Sequence, residues 1–415
     1  MGRSPVWHPF TQHGLAPDAT MVERGEGAWL ETADGRRMLD AISSWWVVTH
    51  GHRHPAIVAA IKEQAERLDQ VIFAGFTHEP AERLAEKLVG MAPRGLAHVF
   101  YSDSGSTAVE VALKMALGYW RNIGAPRSRI VALEHGYHGD TIGTMSAGAR
   151  GIFNAAYAPL LFDVARIPFP ARGREQATLD AACRAEPVAA LIVEPLILGA
   201  GGMLIYAPSV LAEMRRICDT HGVLLIADEV MTGWGRTGTL FASEQAGIAP
   251  DILCLAKGIT GGSLPLAATL ATSAIFEAHR STDRSKTFFH SSSYTANPIA
   301  CAAALANIGV WKEEPVAARI EGLAALQGKL LATLEAHPRL ENARKLGTIT
   351  AVDLKVEDGG YLAEAGPKLA AFFLERGLLL RPLGNTIYTM PPYCVTEREL
   401  ALVYETIAAG ADAFA

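Results

Sequence analysis

The run LLIADE, residues 224–229, is an apolar stretch that ends in two carboxylates. It resembles the acidic strand end of a P-loop nucleotidase, but that class also needs Gly-x-x-x-x-Gly-Lys-Ser/Thr, and here Gly328-Lys329 is followed by leucine. A strand whose exit is simply acidic is a second interpretation. In the third, a carboxylate at the carboxyl end of a strand faces a ligand crevice, which is where open α/β sheets bind their ligands.

Short apolar runs of the same kind recur between about residues 98 and 300, separated by helix-like segments such as STAVEVALKMALGYW. They occupy residues 98–101, 130–133, 189–193, 223–227 and 252–255. This alternation predicts βαβ units and an α/β fold with a mostly parallel, doubly wound sheet. The runs lack a clean alternation of apolar and polar residues, as expected for strands covered on both faces.

Other segments have their own local patterns. Residues 28–40 predict two short strands around an Asp34-Gly35 turn, and residues 80–91 predict a helix with one apolar face. Ala/Leu-rich helices follow at about 298–337, and then come the strand-like runs ITAVDL and LLLRPLG. The last hundred residues therefore predict a separate α/β lobe.

The charge balance limits the classes of partner. The 415 residues include 37 basic and 43 acidic side chains, a net charge of −6, so we expect neither a nucleic acid nor an anionic membrane surface as partner. Five cysteines lie scattered without a Cys-x-x-Cys pair, which indicates reduced thiols of a cytosolic protein. The chain starts without an apolar signal core, and its most apolar stretch is interrupted, so we expect a soluble cytoplasmic protein.

The run LCLAKGITGG, residues 253–262, places a lysine directly after an apolar strand and before several glycines. A solvated loop lysine is the ordinary interpretation. A lysine held in an apolar site, however, has a lowered pKa and can form Schiff bases. Lys257 follows one predicted strand and Asp228 ends the strand before it. Enzymes that use pyridoxal 5′-phosphate (PLP) need this pair, because the lysine bonds the aldehyde and the carboxylate keeps the pyridine nitrogen protonated.

A phosphate site is predicted at SDSGSTAVEVALKMA, residues 102–116, where Gly105 and Ser106 open an amphipathic helix. Free N–H groups and the helix dipole favour a dianion there, although a capped helix start alone would look the same. In HGYHGDTIG, residues 135–143, Tyr137 could stack on a ring.

Competing sites have weaker support. GWGRTG, residues 233–238, matches Gly-x-Gly-x-x-Gly, but it opens no convincing helix and no acid follows at the dinucleotide spacing. His138 and the His-x-His-x-His run of residues 50–54 could bind a metal, but no carboxylate or cysteine cluster supports a site, so none is expected.

Taken together, LIADEVMTGWGRTG, LAKGITGG, SDSGSTAVEVALKMA and GYHGDTIG resemble the class III aminotransferases of the fold-type I PLP enzymes, and the resemblance runs over nearly the whole chain. It implies PLP as cofactor, catalytic roles for Lys257, Asp228 and Tyr137, and a homodimer with active sites at the interface. It also implies a small domain built from both chain ends, with residues 1–55 joining it, 56–305 forming the PLP-binding domain and 306–415 the C-terminal part.

Within that family, WHPFTQ (7–12), SSWWVVTHGHRHP (43–55) and LRPLGNTIYTMPPY (380–393) resemble the biotin-pathway branch, which converts 8-amino-7-oxononanoate to 7,8-diaminononanoate. The resemblance implies that Trp45 lines the substrate pocket while Trp46 packs behind it, that Tyr137 touches both cofactor and substrate, and that Arg381 binds the substrate carboxylate. The resemblance also implies that three further residues match positions that recognise substrate in this branch: Phe10, Asp140 and Arg236.

The segment HSSSYTANP, residues 290–298, departs from the motifs of this branch. The resemblance implies that Ser292 and Ser293 approach the phosphate of the neighbouring subunit and that Ser291 borders the amino donor. S-adenosylmethionine is the expected donor, with lysine as the alternative. The alternatives for the whole chain are an ω-amino-acid:pyruvate aminotransferase, a 1,2-aminomutase, an inactive regulatory protein on the same fold and a nicotinamide dehydrogenase.

Overall fold

The computed structural model describes residues 4–16, 18–170, 174–357 and 359–414. Its strands are Val22–Glu26 (β1), Trp29–Thr32 (β2), Arg37–Asp40 (β3), Leu96–Ser102 (β4), Arg129–Leu133 (β5), Ala165–Ile167 (β6), Val188–Val193 (β7), Ile197–Leu198 (β8), Leu204–Ile205 (β9), Leu224–Asp228 (β10), Ile252–Leu255 (β11), Ala267–Thr272 (β12), Leu340–Leu346 (β13), Ile349–Leu354 (β14), Leu378–Leu379 (β15) and Thr386–Thr389 (β16). Its longer helices are Pro55–Arg67 (α1), Glu79–Met91 (α2), Gly105–Asn122 (α3), Ile142–Ala147 (α4), Arg174–Ala185 (α5), Pro208–His221 (α6), Ser273–His279 (α7), Pro298–Glu313 (α8), Val316–Glu335 (α9), Ala365–Glu375 (α10) and Glu397–Ala413 (α11).

The large sheet has the order β4-β12-β11-β10-β7-β5-β6 in the described part of the chain. Its strands pair in parallel except for β12, which is antiparallel to both β11 and β4. Apolar runs form strands here because both faces are covered: every residue of β7 and of β10 is buried. The α/β fold and the mostly parallel sheet predicted from the sequence are confirmed.

The carboxyl ends of the parallel strands all open on one edge of this sheet. In the register of β10 with β11, Asp228 stands opposite Cys254. Lys257 follows that partner by three residues, so the carboxylate and the amine emerge at neighbouring strand ends. The edge therefore gathers side chains that lie far apart in the sequence.

A second sheet joins the two ends of the chain. Its order is β1-β2-β3-β15, and β15 pairs in parallel with β3, so that Leu379 stands opposite Asp40. This pairing supports the proposed small domain built from both chain ends. The boundary expected at residue 305 falls inside the continuous helix α8, so we propose to place it at the end of that helix.

Most predicted elements have counterparts, with two differences. The run LLLRPLG forms a strand only at β15, and Arg381 lies in the loop that follows. The segment Ser43–Trp46, in which two adjacent tryptophans would point to opposite faces of a strand, is instead an irregular turn whose Ser44 and Trp45 have non-helical dihedral angles. No helix in the described residues is long and apolar enough to cross a membrane.

Candidate active site

A cavity of about 410 Å³ lies at the carboxyl edge of the large sheet. Loops that leave β4, β5, β7, β10 and β11 meet around it. Its lining includes Trp46, Asp103, Ser104, Gly105, Ser106, Tyr137, His138, Glu194, Asp228 and Lys257. Five residues proposed from the sequence for catalysis or cofactor binding (Gly105, Ser106, Tyr137, Asp228 and Lys257) are therefore brought together.

Lys257 begins a short 3-10 turn directly after β11 and has a left-handed φ of 47°. Two glycines allow this turn to pack closely against its neighbours. A Cβ on Gly258 would come within 2.8 Å of the Trp234 Cβ, and one on Gly262 within 2.7 Å of the Val47 backbone. The lysine is thereby held between two rigid segments.

The surroundings of Lys257 favour its uncharged form. Burial lowers the pKa of the amine below its ordinary 10.5, while the carboxylates of Asp228 and Glu194 act in the opposite direction. The Nζ atom lies 5.3 Å from the centre of the Trp46 ring. An uncharged amine is the form that reacts with an aldehyde.

Asp228 is buried at the end of β10 and pairs with a histidine. The Nδ1 atom of His138 lies 2.7 Å from Asp228 Oδ2, and the Val230 N–H donates to Oδ1 at 3.2 Å. His138 is itself buried. In the sequence it was weighed only as a metal ligand, but its bond to Asp228 makes it an orienting partner of the carboxylate.

Glu194 is a second buried carboxyl group on the cavity, and the sequence analysis did not predict it. Its two oxygens accept the N–H groups of Tyr137 and Gly199, each at 2.9 Å. Burial raises its pKa to about 7. Glu194 thus fixes the backbone that carries Tyr137, whose own pKa is raised, first by burial and then by nearby Asp140.

The first turn of α3 faces the cavity. Ser104 caps the helix through a capping box with Thr107. A Cβ on Gly105 would lie 2.6 Å from Val230 Cγ1, so only glycine fits there. The Ser106 hydroxyl accepts the Asp140 N–H at 3.2 Å, which links this turn to the loop after Tyr137. The exposed N–H groups of such a turn suit an anion.

Trp45, Phe10 and Arg381 form a separate cluster. The Arg381 guanidinium lies 4.6 Å from the centre of the Trp45 ring and 5.7 Å from that of Phe10, and the two rings are 5.7 Å apart. In the described residues, the cavity lining includes Trp46 but not these three. Trp46, expected only to pack behind, is buried and donates its indole N–H to the Tyr388 hydroxyl at 2.9 Å, yet it also borders the cavity.

Arg236 does not have the position expected for a substrate contact. It is 1% exposed, and its guanidinium donates to the carbonyl oxygens of Pro391 and Val48, each at 3.0 Å, and to that of Trp46 at 3.4 Å. A buried guanidinium needs such partners. Arg236 therefore supports the segment that carries the tryptophans, and its part in substrate recognition stays a prediction.

Ser291, Ser292 and Ser293 lie outside the cavity lining of their own chain. The Ser292 hydroxyl bonds Asp103, and Gln70 donates to the Ser293 carbonyl at 2.8 Å. Ser291 and Ser293 are exposed. Asp140 is also exposed and borders an adjoining cavity of about 160 Å³, which shares Tyr137 with the first.

The three histidines that suggested a metal have different partners. His52 lies 2.9 Å from Asp40, His54 lies 3.0 Å from Glu314, and the His50 ring packs edge-on against Trp311. Across the described ranges, no group of three or more His, Cys, Asp or Glu side chains converges as a metal site would require.

Comparison with known proteins decides the family. The family model for class-III aminotransferases matches residues 11–410. The chain belongs to the class-III aminotransferases.

It is 50% identical to the adenosylmethionine-8-amino-7-oxononanoate aminotransferase of Synechococcus elongatus, over 97% of each chain. The solved enzyme of that name from Methanocaldococcus jannaschii has a TM-score of 0.95 and 35% identity, covering 99% of this chain and 97% of its own. An amine transaminase from an uncultivated Pseudomonas species, solved in its PLP-bound form, has a TM-score of 0.90 and 35% identity, with 99% of each chain covered.

The cofactor of this aminotransferase is PLP, and the cavity fits it. The buried amine of Lys257 suits the aldehyde, the carboxylate of Asp228 suits the protonated ring nitrogen, and the first turn of α3 suits the phosphate. Gly105 lets this turn pack directly against Val230, which also lines the cavity.

We expect the apoprotein to capture PLP at a lower pH than a free lysine does. Only the uncharged amine attacks an aldehyde, and burial lowers the pKa of Lys257. The rate at which the visible band of bound PLP appears, followed by stopped flow from neutral to alkaline pH, should reach half its maximum below pH 10.5. Lys257→Ala should show no band. A midpoint equal to that of Nα-acetyl-lysine, which keeps a free ε-amine, in the same buffers would contradict the lowered pKa of Lys257.

Proposed function

We propose that this aminotransferase converts 8-amino-7-oxononanoate to 7,8-diaminononanoate, a step of biotin biosynthesis, with S-adenosylmethionine as amino donor. The observation that carries the proposal is the 50% identity, over 97% of each chain, to a relative named for this reaction. The cluster of Arg381 with Trp45 beside the cavity supports it, because a long keto acid needs an apolar wall and a distant cation.

The side chains around the cavity have separable roles in the transfer. Bound PLP supplies an electron-withdrawing ring that stabilises negative charge at the carbon losing its proton. The Nζ of Lys257 takes that proton from the donor carbon as a base, and returns it as an acid to the carbon that carries the cofactor's aldehyde. Asp228 holds the proton of the ring nitrogen, and His138 orients Asp228. Tyr137, whose N–H donates to Glu194, would cover one face of the ring.

The acceptor side of the proposal rests on the aromatic cluster. Arg381 presents a planar fork suited to a carboxylate, and its guanidinium lies near the rings of both Trp45 and Phe10. The apolar faces of the two tryptophans would line the path of the acyl chain. We assign contact with the donor to Asp140, which borders the adjoining cavity.

The subunit arrangement is part of the same proposal. We infer a homodimer in which the segment around Ser291–Ser293 serves the active site of the partner subunit, with Ser293 at the phosphate. The exposure of Ser293, Phe289 and Tyr294 supports this, since such apolar rings on a surface segment suit an interface. Five free thiols support a reducing, cytoplasmic location.

A paired assay tests the proposed reaction. The holoenzyme is given 8-amino-7-oxononanoate with either S-adenosylmethionine or lysine, and 7,8-diaminononanoate is quantified by mass spectrometry. We expect turnover with S-adenosylmethionine. Product from lysine alone would reassign the donor. Activity only with pyruvate and an ω-amino acid would replace the proposal with the ω-amino-acid:pyruvate reaction, the second candidate, which structures such as a PLP-bound amine transaminase favour.

Arg381→Ala should raise KM for the keto acid by about 10- to 100-fold, because a charge-assisted hydrogen bond contributes about 1.5–3 kcal/mol. The band of bound PLP should remain, since Arg381 lies outside the PLP cavity. Arg381→Lys keeps the charge but loses the fork, so its KM should fall between the two. Arg376→Ala is the matched control, because that arginine stacks on Phe372 elsewhere on the surface. An unchanged KM in Arg381→Ala would refute the carboxylate role.

Mixing two inactive variants tests the shared active site. Ser293→Asp should repel the phosphate across the interface, and Lys257→Ala removes the essential amine. Co-expressed chains should regain about a quarter of wild-type activity, because half of the dimers are mixed and each contains one complete site. If Ser293 served its own chain, no mixed dimer would contain a complete site and activity would stay absent.

A further inference from the structure

The turn that carries both tryptophans has an unusual backbone. Ser43, Ser44 and Trp46 have φ angles of 54°, 59° and 67°, although none is glycine, and Ser44 combines its φ with a ψ of −97°. Residues other than glycine avoid this region because their Cβ atom clashes with the backbone. Such a conformation persists only where the surroundings hold it.

Asp40 supplies the hold at the start of the turn. Its side chain is fully buried, and both of its oxygens accept the Ser44 N–H, at 2.8 and 2.7 Å. Oδ2 also accepts the Ser44 hydroxyl at 3.1 Å, and Oδ1 accepts the Ile42 N–H at 3.3 Å. These bonds fix the residue immediately before Trp45.

His52 is the partner that keeps this carboxylate in place. Its Nε2 atom lies 2.9 Å from Asp40 Oδ2, and its backbone N–H donates to the Gly27 carbonyl at 2.7 Å. A buried carboxylate is costly unless charges and hydrogen bonds compensate it. His52 therefore gives the buried carboxylate a further polar partner and ties it to the connection between β1 and β2.

The far end of the turn has independent anchors. The indole of Trp46 bonds Tyr388, and Arg236 bonds the carbonyl oxygens of Trp46 and Val48. Trp45 lacks anchors of this kind in the described structure: its ring is 43% exposed and contacts Phe10 and Arg381. The position of Trp45 thus depends on the backbone that Asp40 holds.

We propose that Asp40, oriented by His52, is a positioning residue for acceptor recognition: it holds the strained turn so that Trp45 lies against Arg381 while Trp46 faces Lys257. This inference rests on the proposed function for its choice of acceptor. The contacts it invokes belong to the chain itself and can be tested without any substrate.

Asp40→Asn in the holoenzyme should raise KM for 8-amino-7-oxononanoate about tenfold, equivalent to about 1.4 kcal/mol, with kcat changed far less. In the variant an NH₂ group replaces one carboxylate oxygen. This group cannot accept the Ser44 N–H, so the bonds to that oxygen are lost. The visible PLP band should be unchanged. Asp34→Asn is the matched control, because Asp34 pairs with Arg36 on the exposed tip of the same hairpin. Its KM should equal that of the wild type.

Ser44→Gly tests whether Asp40 acts by holding the strained turn rather than by stabilising the fold in general. Glycine adopts a positive φ at no steric cost, so the turn would need less support. Adding Ser44→Gly to Asp40→Asn should recover most of the lost affinity for the keto acid. If the double variant were no better than Asp40→Asn, strain at Ser44 would not be what Asp40 offsets, and the proposal would fail.

A substrate-free measurement separates this inference from the proposed function. In protein labelled with 5-fluorotryptophan, the ¹⁹F resonances of Trp45 and Trp46 are assigned with Trp45→Phe and Trp46→Phe, and Asp40→Asn should shift that of Trp45. An inactive wild type with this shift would overturn the proposed function alone. An unmoved resonance would overturn the inference. If Asp40→Asn does not fold, His52→Ala should shift the Trp45 resonance. His52→Gln keeps an N–H donor, so its Trp45 resonance should stay at the wild-type position. Equal shifts in His52→Ala and His52→Gln would overturn the inference.

Discussion

The parallel pairing of β10 with β11 is the constraint on which the rest of the active site depends. It brings an acid and an amine to adjacent strand ends in a region where neither is well solvated. Burial lowers the pKa of Lys257, the charge of Asp228 acts in the opposite direction, and the proximity of the two groups serves the cofactor. The surrounding loops then complete an environment that the pair already defines: His138 behind the carboxylate, Trp46 beside the amine and the start of α3 opposite both.

Close backbone packing turns this pairing into a rigid site. The turn that begins at Lys257 touches Trp234 through Gly258 and the tryptophan-bearing turn through Gly262. Movement of one segment is therefore resisted by the other two, because interiors are packed as densely as crystals. The turn of Lys257 and the turn that carries Trp45 and Trp46 are in this way packed against each other, although they lie far apart in the sequence.

The sequence predicts the parts of this architecture that depend on local pattern. Apolar runs with a charged exit identify β10 and β11, and a serine-glycine-serine start identifies the capped helix α3. It does not predict the roles of Glu194 and His138, because each depends on the register of a third strand that no local spacing encodes. The sequence does not predict the conformation of the turn at Ser43–Trp46 either, since Asp40, Arg236 and Tyr388 hold it rather than local preference. Arg236 could have been recognised only from its burial.

The pairing of β15 with β3 has a consequence for synthesis on the ribosome. The strand that ends in Asp40 leaves the exit tunnel early, but its parallel neighbour at Leu378–Leu379 and the anchor at Tyr388 follow only near the end of translation. The large sheet, from β4 to β12, is complete well before that point. A nascent chain can thus complete the large sheet before β15 and Tyr388 are available to the second sheet and to the turn that carries the tryptophans, as expected where contacts join distant parts of a sequence. Truncation before Leu378 would therefore remove both β15 and the Tyr388 anchor, while every strand of the large sheet would still be present.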